Sequence, residues 1–344
     1  MSNTIYRKGL HELSGSVLAW MQPDGSWGWN NAGLIVDGDQ TLLVDTLWDI
    51  RLTREMLDGF ARATPAAREI RQVVNTHANG DHCWGNQLLS GAEIIASRRG
   101  AAEMEEFTPP KMVTLMKVAG VASAMGGFGR VLGKGLSAVG LSKLGGLIDA
   151  APYVQEIFGP FHFEEVVLTP PTRTFDERLS LTVGNKKVEL IEVGPAHTQG
   201  DVLVYVPEDR VLFAGDILFI EGHPIMWAGP VSRWIQALDI ILGLELDHIV
   251  PGHGPMTDKA GVLKLKEYFG WLETEARRRF EGGMPAEAAA RDIGKGVYSG
   301  WKDAERIAVN VETLYRGFRE EMTGVQEAKP DVMELFGRMA RLRA

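Results

Sequence analysis

Two histidines, an aspartate and an asparagine fall within the run Thr76-His77-Ala78-Asn79-Gly80-Asp81-His82, directly after an apolar segment, Gln72 to Asn75. Side chains at a strand end can converge on one point, and imidazole with carboxylate is the usual ligand set for zinc or a similar divalent ion. Alone, the run reads equally as a tight turn closed by an Asx hydrogen bond. Three later segments repeat its grammar: Gly194-Pro195-Ala196-His197-Thr198, Phe213-Ala214-Gly215-Asp216 and Val250-Pro251-Gly252-His253-Gly254. In each, a short β-rich run ends, small residues follow, and one metal-type ligand sits in the turn. Glycine permits such sharp turns and close approaches. Four ligand-bearing strand ends aimed at one sheet edge explain this pattern better than four unrelated turns do.

Such residues could serve hydrolysis. A divalent ion brings the pKa of a bound water toward neutrality and polarises a carbonyl, stabilising the oxyanion that develops. A carboxylate beside it can orient the nucleophile and pass a proton to the leaving group. Asp81 is the candidate for that role if it is not locked as a ligand. A purely structural zinc is disfavoured, because such sites are usually cysteine-rich and Cys83 is the only cysteine.

The order and spacing of the four segments resemble the metallo-β-lactamase superfamily, whose marker is His-x-His-x-Asp-His followed by a distant His, Asp and His. The resemblance runs from about residue 15 to about residue 257 and includes Trp29-Asn30-Asn31-Ala32-Gly33-Leu34-Ile35-Val36, the Asp37-Gly38 turn and Leu43-Val44-Asp45-Thr46. It implies an α/β fold, an αββα sandwich with the metal site at one edge. By position, it implies one metal on His77 and His197, a second on Asp81, His82 and His253, and Asp216 bridging. Asn79 stands where the family has its second histidine. A carboxamide oxygen is a weaker, harder ligand than imidazole. Three readings follow: a mainly one-metal enzyme, a site shifted from zinc toward iron or manganese, or a site that has left hydrolysis. We take two ions of unequal affinity, zinc first, as the working expectation.

Other residues near these motifs invite roles. Trp27 and Trp29 lie in the approach to the first hairpin, which often overhangs the metals in this superfamily; they read as a grip on apolar substrate or as packing. His223, in Glu221-Gly222-His223-Pro224, reads as a substrate contact or as an ordinary loop histidine. Asp201 matches the family's His-Thr-x-Gly-Asp segment and is expected to brace the loop rather than bind metal. Cys83 reads as a small apolar filler.

The elements that must carry these residues are legible in outline. Residues 15–100 read as a hairpin (33–45), a helix (50–63), a strand (72–75), the ligand turn and a strand (93–96). Residues 165–255 read as strands near 165–169, 187–193, 201–206 and 211–214, a helix near 230–243 and a last strand before His253. Between them, 115 positions separate His82 from His197, which is long for the family and points to a helical insertion, about 101–164. Within it, residues 111–150 carry Lys111, Lys117, Arg130, Lys134 and Lys143 against Asp149, a net charge of +4 in a chain of net charge -9. Glycines there argue against one rigid helix. The insertion reads as a lid or pocket wall for a bulky apolar substrate, as a cap over a sheet face or subunit interface, or as a membrane-surface helix. The domain division is therefore 1–257, with the insertion, and a helical extension over 258–344. Buried helical stripes in the extension, such as Ile307, Val311, Leu314, Tyr315 and Phe318, read as core packing or a homodimer contact rather than chemistry.

Composition fits a soluble enzyme. The chain of 344 residues is 45% hydrophobic, enough for a large core. Its acidity, with pI near 5.5, argues against nucleic acid as partner, because such binding neutralises phosphates. A lone cysteine, no signal-like start and no run long enough to span a bilayer point to the cytoplasm. The expected function is a metal-dependent hydrolase that uses a metal-activated hydroxide on an ester, lactone, thioester or amide of a fairly hydrophobic small molecule. Two alternatives stay open. One is a non-hydrolytic metalloenzyme (lyase, cyclase or oxygenase) acting on an aromatic or polyketide-like compound. The other is a ligand-binding protein with damaged chemistry.

Overall fold

A computed structural model describes residues 6–124 and 142–343; the glycine-rich middle of the expected insertion, 125–141, lies outside the described residues. The first sheet holds seven strands in the order β1 (Gly9–Ser14), β2 (Val17–Met21), β3 (Ala32–Asp37), β4 (Gln40–Val44), β5 (Gln72–Val74), β6 (Glu93–Ser97) and β7 (Arg173–Phe175). The second holds five, in the order β12 (His248–Val250), β11 (Val211–Phe213), β10 (Val202–Val206), β9 (Lys186–Glu192) and β8 (Arg178–Val183).

Side chains alternate faces along a strand, and that alternation builds the layers. Val17, Ala19 and Met21 of β2, Leu42 and Val44 of β4, and Val202, Val204 and Val206 of β10 meet in one core between the sheets. Their neighbours Leu18, Trp20, Leu43 and Leu203 face outward into a second core shared with helices. Burial on both faces is why these strands read as continuous apolar runs. Helix α1 (Ile50–Ala63) covers the first sheet. Asp49 caps it by accepting from Leu52 N at 2.7 Å, and Phe60 meets Trp20 edge-on at 6.1 Å. Burying a side chain such as Phe60 or Met56 contributes about 2 kcal/mol.

Four helices of the first half and its insertion follow α1 in order: α2 (Gly80–Cys83), α3 (Arg98–Glu103), α4 (Pro109–Ala124) and α5 (Ser142–Phe158). The second half adds α6 (Val231–Gly243), and α7 (Lys259–Glu281), α8 (Ala286–Ile293), α9 (Ile307–Thr323) and α10 (Val332–Arg343) follow β12. The architecture is an αββα sandwich with helical additions. Helix α10 packs on α5, so the end of the chain lies against the insertion.

Strand direction explains where the ligands gather. Strand β10 is antiparallel to both β9 and β11, and β12 is parallel to β11. Hence β9, β11 and β12 run the same way, and their ends bring His197, Asp216 and His253 to one edge. In the first sheet β4 and β5 are parallel, so Asp45 and His77 leave together. Thr76 O accepts from Val202 N at 2.8 Å and ties the two edges.

One expected element is absent. Residues 165–169 form no strand; Pro170 and Pro171 follow and offer no N–H to a ladder. Asn86 and Gln87 hold the segment instead, the first bonding Thr169 O at 3.2 Å and the second Glu165 O at 3.1 Å. The seventh position in the sheet falls to Arg173–Phe175. Strands β1, β2 and β8 were not anticipated. In α7 the buried stripe is Val262, Leu265, Tyr268, Phe269 and Leu272, while Leu263 is exposed.

Candidate metal centre

Asp216 sits at the centre of four imidazoles. Its Oδ2 lies 3.3 Å from His197 Nε2, 3.5 Å from His253 Nε2 and 3.7 Å from His77 Nε2, and its Oδ1 lies 3.1 Å from His82 Nε2. Asp81 Oδ2 adds a second carboxylate, 3.4 Å from His253 Nε2 and 3.9 Å from His82 Nε2. All six residues are buried. The backbone makes room for this crowding: a β-carbon at Gly252 would overlap Asp216 Oδ1.

Each imidazole uses Nδ1 elsewhere. His82 Nδ1 bonds Asp45 Oδ2 at 2.8 Å, His197 Nδ1 bonds Ile225 O at 2.7 Å, and His253 Nδ1 bonds Gly25 O at 3.1 Å. His77 Nδ1 lies 3.1 Å from Thr76 Oγ1, which in turn donates to Asp45 Oδ2 at 2.8 Å. With every Nδ1 engaged outward, each Nε2 points inward, the ring orientation a metal ligand needs. Buried and without a hydrogen-bond partner are His77 Nε2, His82 Nε2, His197 Nε2 and Asp216 Oδ1. Orphaned buried polar atoms are costly, and bound cations would satisfy all four.

Two groups of ligand atoms lie within 4.8 Å of one another: His77, His82 and Asp216, and Asp81, His82 and His253. His82 belongs to both, yet one Nε2 lone pair serves one ion. If His82 joins Asp81 and His253, then His77 and His197 remain for a second ion, and Asp216 reaches both sets. Asn79 precedes α2 as its N-cap without a capping side-chain bond, and it lines the cavity beside the cluster.

Electrostatics fit the same picture. Burial alone would raise the Asp216 carboxyl, but His253, His82, His77 and His197 together hold it well below the carboxylate range. Burial pulls His253 down, but Asp216 and Asp81 outweigh it and raise the ring to about 9; Asp216, Asp45 and Asp81 likewise hold His82 well above its ordinary value. Burial, with His82 beside it, drives His77 well down.

Around the cluster lies a brace that the motifs only half reveal. Asp45, 2% exposed and at φ 63, accepts from Thr76 N at 2.7 Å as well as from His82. Its signal was available: Leu43-Val44-Asp45-Thr46 has the same apolar-strand-then-acid grammar as Asp216. Asn31 Nδ2 bonds Pro251 O and Gly254 O at 3.0 and 2.9 Å and pins the His253 turn. Asp201 accepts from Ala196 N at 3.1 Å, Thr198 N at 3.0 Å and Thr198 Oγ1 at 2.7 Å, bracing the His197 loop without joining the ligands. Cys83 is buried in the core with Sγ toward Ala78 O.

A cavity of about 220 Å³ opens on Asp81, His197, Asp216 and His253. Trp27, Trp48, Trp84, Phe107, Met112 and Phe158 form much of its wall, with Leu335 and Phe336 from α10. Trp27 therefore lines the cavity, 5.7 Å from Phe336, and its Nε1 bonds Glu305 at 3.3 Å. Trp29 does not line it; its ring packs 4.9 Å from Phe161. His223 also falls elsewhere. It is fully buried, with Nδ1 3.1 Å from Tyr268 OH and Nε2 3.0 Å from Tyr298 O, and burial lowers its pKa to about 4. Its sequence neighbourhood could not reveal that α7 closes over it.

The extension reaches the metal ligands indirectly. Asn310 of α9 bonds Met226 N and Pro224 O, both at 2.8 Å, and Thr313 Oγ1 bonds Met226 O at 2.9 Å. Between them, Ile225 O holds His197 Nδ1. Nothing local in residues 258–344 announces this role.

A family model described as the metallo-beta-lactamase superfamily matches residues 26–253. The chain belongs to that superfamily. Among curated relatives, the 2,4-dinitroanisole O-demethylase subunit alpha of Nocardioides sp. (strain JS1661) is 34% identical over 90 residues, 24% of this chain and 26% of that protein. A hydroxyacylglutathione hydrolase of Brucella anthropi is 32% identical over 100 residues, 29% and 38% of the two chains. The chain thus spans well under half of these relatives' length. The sec-alkylsulfatase Pisa1 from Pseudomonas sp. shares the fold with TM-score 0.62 at 15% identity, over 90% of this chain and 50% of that one. Members of the superfamily are generally metal-dependent hydrolases, and the His/Asp groups here could hold such an ion. No described helix is long and apolar enough to cross a membrane.

Proposed function

We propose that this superfamily member is a metal-dependent hydrolase acting on an ester, lactone, thioester or amide bond of a fairly hydrophobic small molecule. The observation that carries this reading is Asp216 among four imidazoles whose Nδ1 atoms are all engaged outward, facing a largely apolar cavity. His77, His197 and Asp216 would hold one divalent ion and Asp81, His82, His253 and Asp216 another, zinc first and iron or manganese as alternatives. A bound ion supplies Lewis acidity and acidifies a water.

The chain's own groups supply the rest. Asp81 Oδ2, at the cavity wall, is the candidate proton acceptor when it is not fully engaged as a ligand. Trp27, Trp84, Phe107 and Phe158 would seat the apolar part of the substrate and exclude water around the reacting bond. Asp45, through His82, and Ile225 O, through His197, keep the rings aimed.

The test is turnover of a panel of aryl esters, lactones and thioesters by metal-loaded protein. Activity should vanish on chelation, return with metal, and fall at least about a hundredfold in Asp216→Asn. Oxygen from labelled water in the product would separate hydrolysis from lyase, cyclase or oxygenase chemistry. Full metal loading without turnover of any panel member would favour a ligand-binding protein.

A further inference from the structure

A largely buried cation lines the cavity without a contact ion pair among the described residues. Arg316 of α9 is 8% exposed and lines the cavity. Among the described residues its side chain makes no hydrogen bond or close ion pair, although its charge reaches Glu327. The carboxylates nearest it along the chain bond other arginines. Glu312, one turn earlier, binds Arg319 at 3.2 Å and Arg338 at 2.5 Å. Glu327, whose charge responds to Arg316, binds Arg319 Nε through both oxygens at 2.8 and 2.9 Å. Glu103, also in the lining, accepts from Gln199 N at 2.9 Å and feels the charge of Lys329.

The guanidinium nitrogens of Arg316 are not sealed from solvent, so cavity water meets them until an anion or another acceptor takes its place. Leu335, Phe336 and Thr313 in the lining are uncharged, Glu106 makes no bond to Arg316 among the described residues, and Lys329 adds a second positive charge to the same wall. Arg316 also stands apart from the imidazoles. Arg306, whose guanidinium lies 5.2 Å over Phe219 while Phe219 stacks on His253 at 5.1 Å, marks the metal end. Arg316 lies ten positions further on, in α9, about 15 Å along the axis.

We propose that Arg316 is a specificity-determining residue that receives an oxyanion, a carboxylate in the first instance, carried by the apolar substrate at a distance from the bond that reacts. A planar guanidinium matches the two oxygens of a carboxylate, and the aromatic wall takes the scaffold between them. The proposal rests on the hydrolase reading for the reacting end only.

Binding tests it without turnover. Zinc-loaded protein is titrated with 6-phenylhexanoate and with the neutral 6-phenylhexanamide, read by the fluorescence of the cavity tryptophans. The carboxylate should bind at least about tenfold more tightly than the amide. Arg316→Gln should erase that preference and leave amide affinity unchanged, which also reports an intact cavity. Arg316→Lys, a point charge without the fork, should keep part of it and decides the matter if the glutamine variant does not fold. No preference in the unaltered protein overturns the proposal. So does a preference undiminished in the variants, which would put the carboxylate on the metals. Carboxylate preference in a protein that turns over no ester would sink the hydrolase reading and leave Arg316's role standing; ester turnover without the preference would do the reverse.

Discussion

Asp45 carries two ligands through one carboxylate, bonding His82 directly and His77 by way of Thr76. Replacing it by Asn keeps the shape, and asparagine tolerates the left-handed backbone at φ 63. It removes the charged acceptor that fixes the His82 tautomer. Asp45→Asn should lower metal affinity about 10–100-fold with little change in the far-ultraviolet circular dichroism; chelator competition measures it, and unchanged affinity would remove Asp45 from the brace. At Asn79 the opposite change is expected. Asn79→His supplies an imidazole beside His77 and should tighten the weaker of two ions. The ligands themselves were legible because each ends an apolar strand in a small-residue turn. The brace was less so: Asp45 and Asn31 lie 37 and 222 residues from the histidines they serve, His82 and His253, and only the closed sandwich joins them.

At the scale of elements, α9 supports the metal site rather than merely packing on it. Asn310→Ala would leave Met226 N and Pro224 O without their partners in a dry setting, which costs about 2–3 kcal/mol. The melting temperature should fall and the His197 side of the site should loosen, with weaker metal retention. Arg98→Ala breaks an exposed pair with Asp176 away from the site and should change stability by less than about 1 kcal/mol. Equal effects would refute the brace. The amphipathic pattern of residues 307–318 correctly marked a buried stripe, but periodicity says nothing of what covers it. That is why the cavity wall formed by Arg306, Thr313, Arg316 and Phe336 was invisible, why His223 and Trp29 were drawn toward substrate, and why 165–169 looked like a strand before its prolines were weighed.

For the whole molecule, the cluster makes stability depend on protons until metal replaces them. His253 is raised to about 9 in the folded, metal-free protein and returns to about 6.5 on unfolding. A raised folded value gives stability that is fully present below 6.5 and is lost as pH rises through 9. Asp201, pushed up to about 8 by burial despite its hydrogen bonds, acts in the same direction. Chelated protein should therefore melt at progressively lower temperature from pH 6.5 to 9. Metal-loaded protein should not, because ligation needs deprotonated rings and strengthens as pH rises. Parallel curves would mean that the imidazoles do not exchange protons for metal.

The most direct measurement is the metal content of the protein purified without added metal, by elemental analysis, beside His253→Ala and Asn79→His. The dinuclear account predicts about two ions per chain, a clear loss in His253→Ala, and retention in Asn79→His. One ion rising to two in Asn79→His would replace it with a one-metal enzyme. No ion in any variant, even after reconstitution with zinc, iron or manganese, would contradict the metal-dependent account altogether.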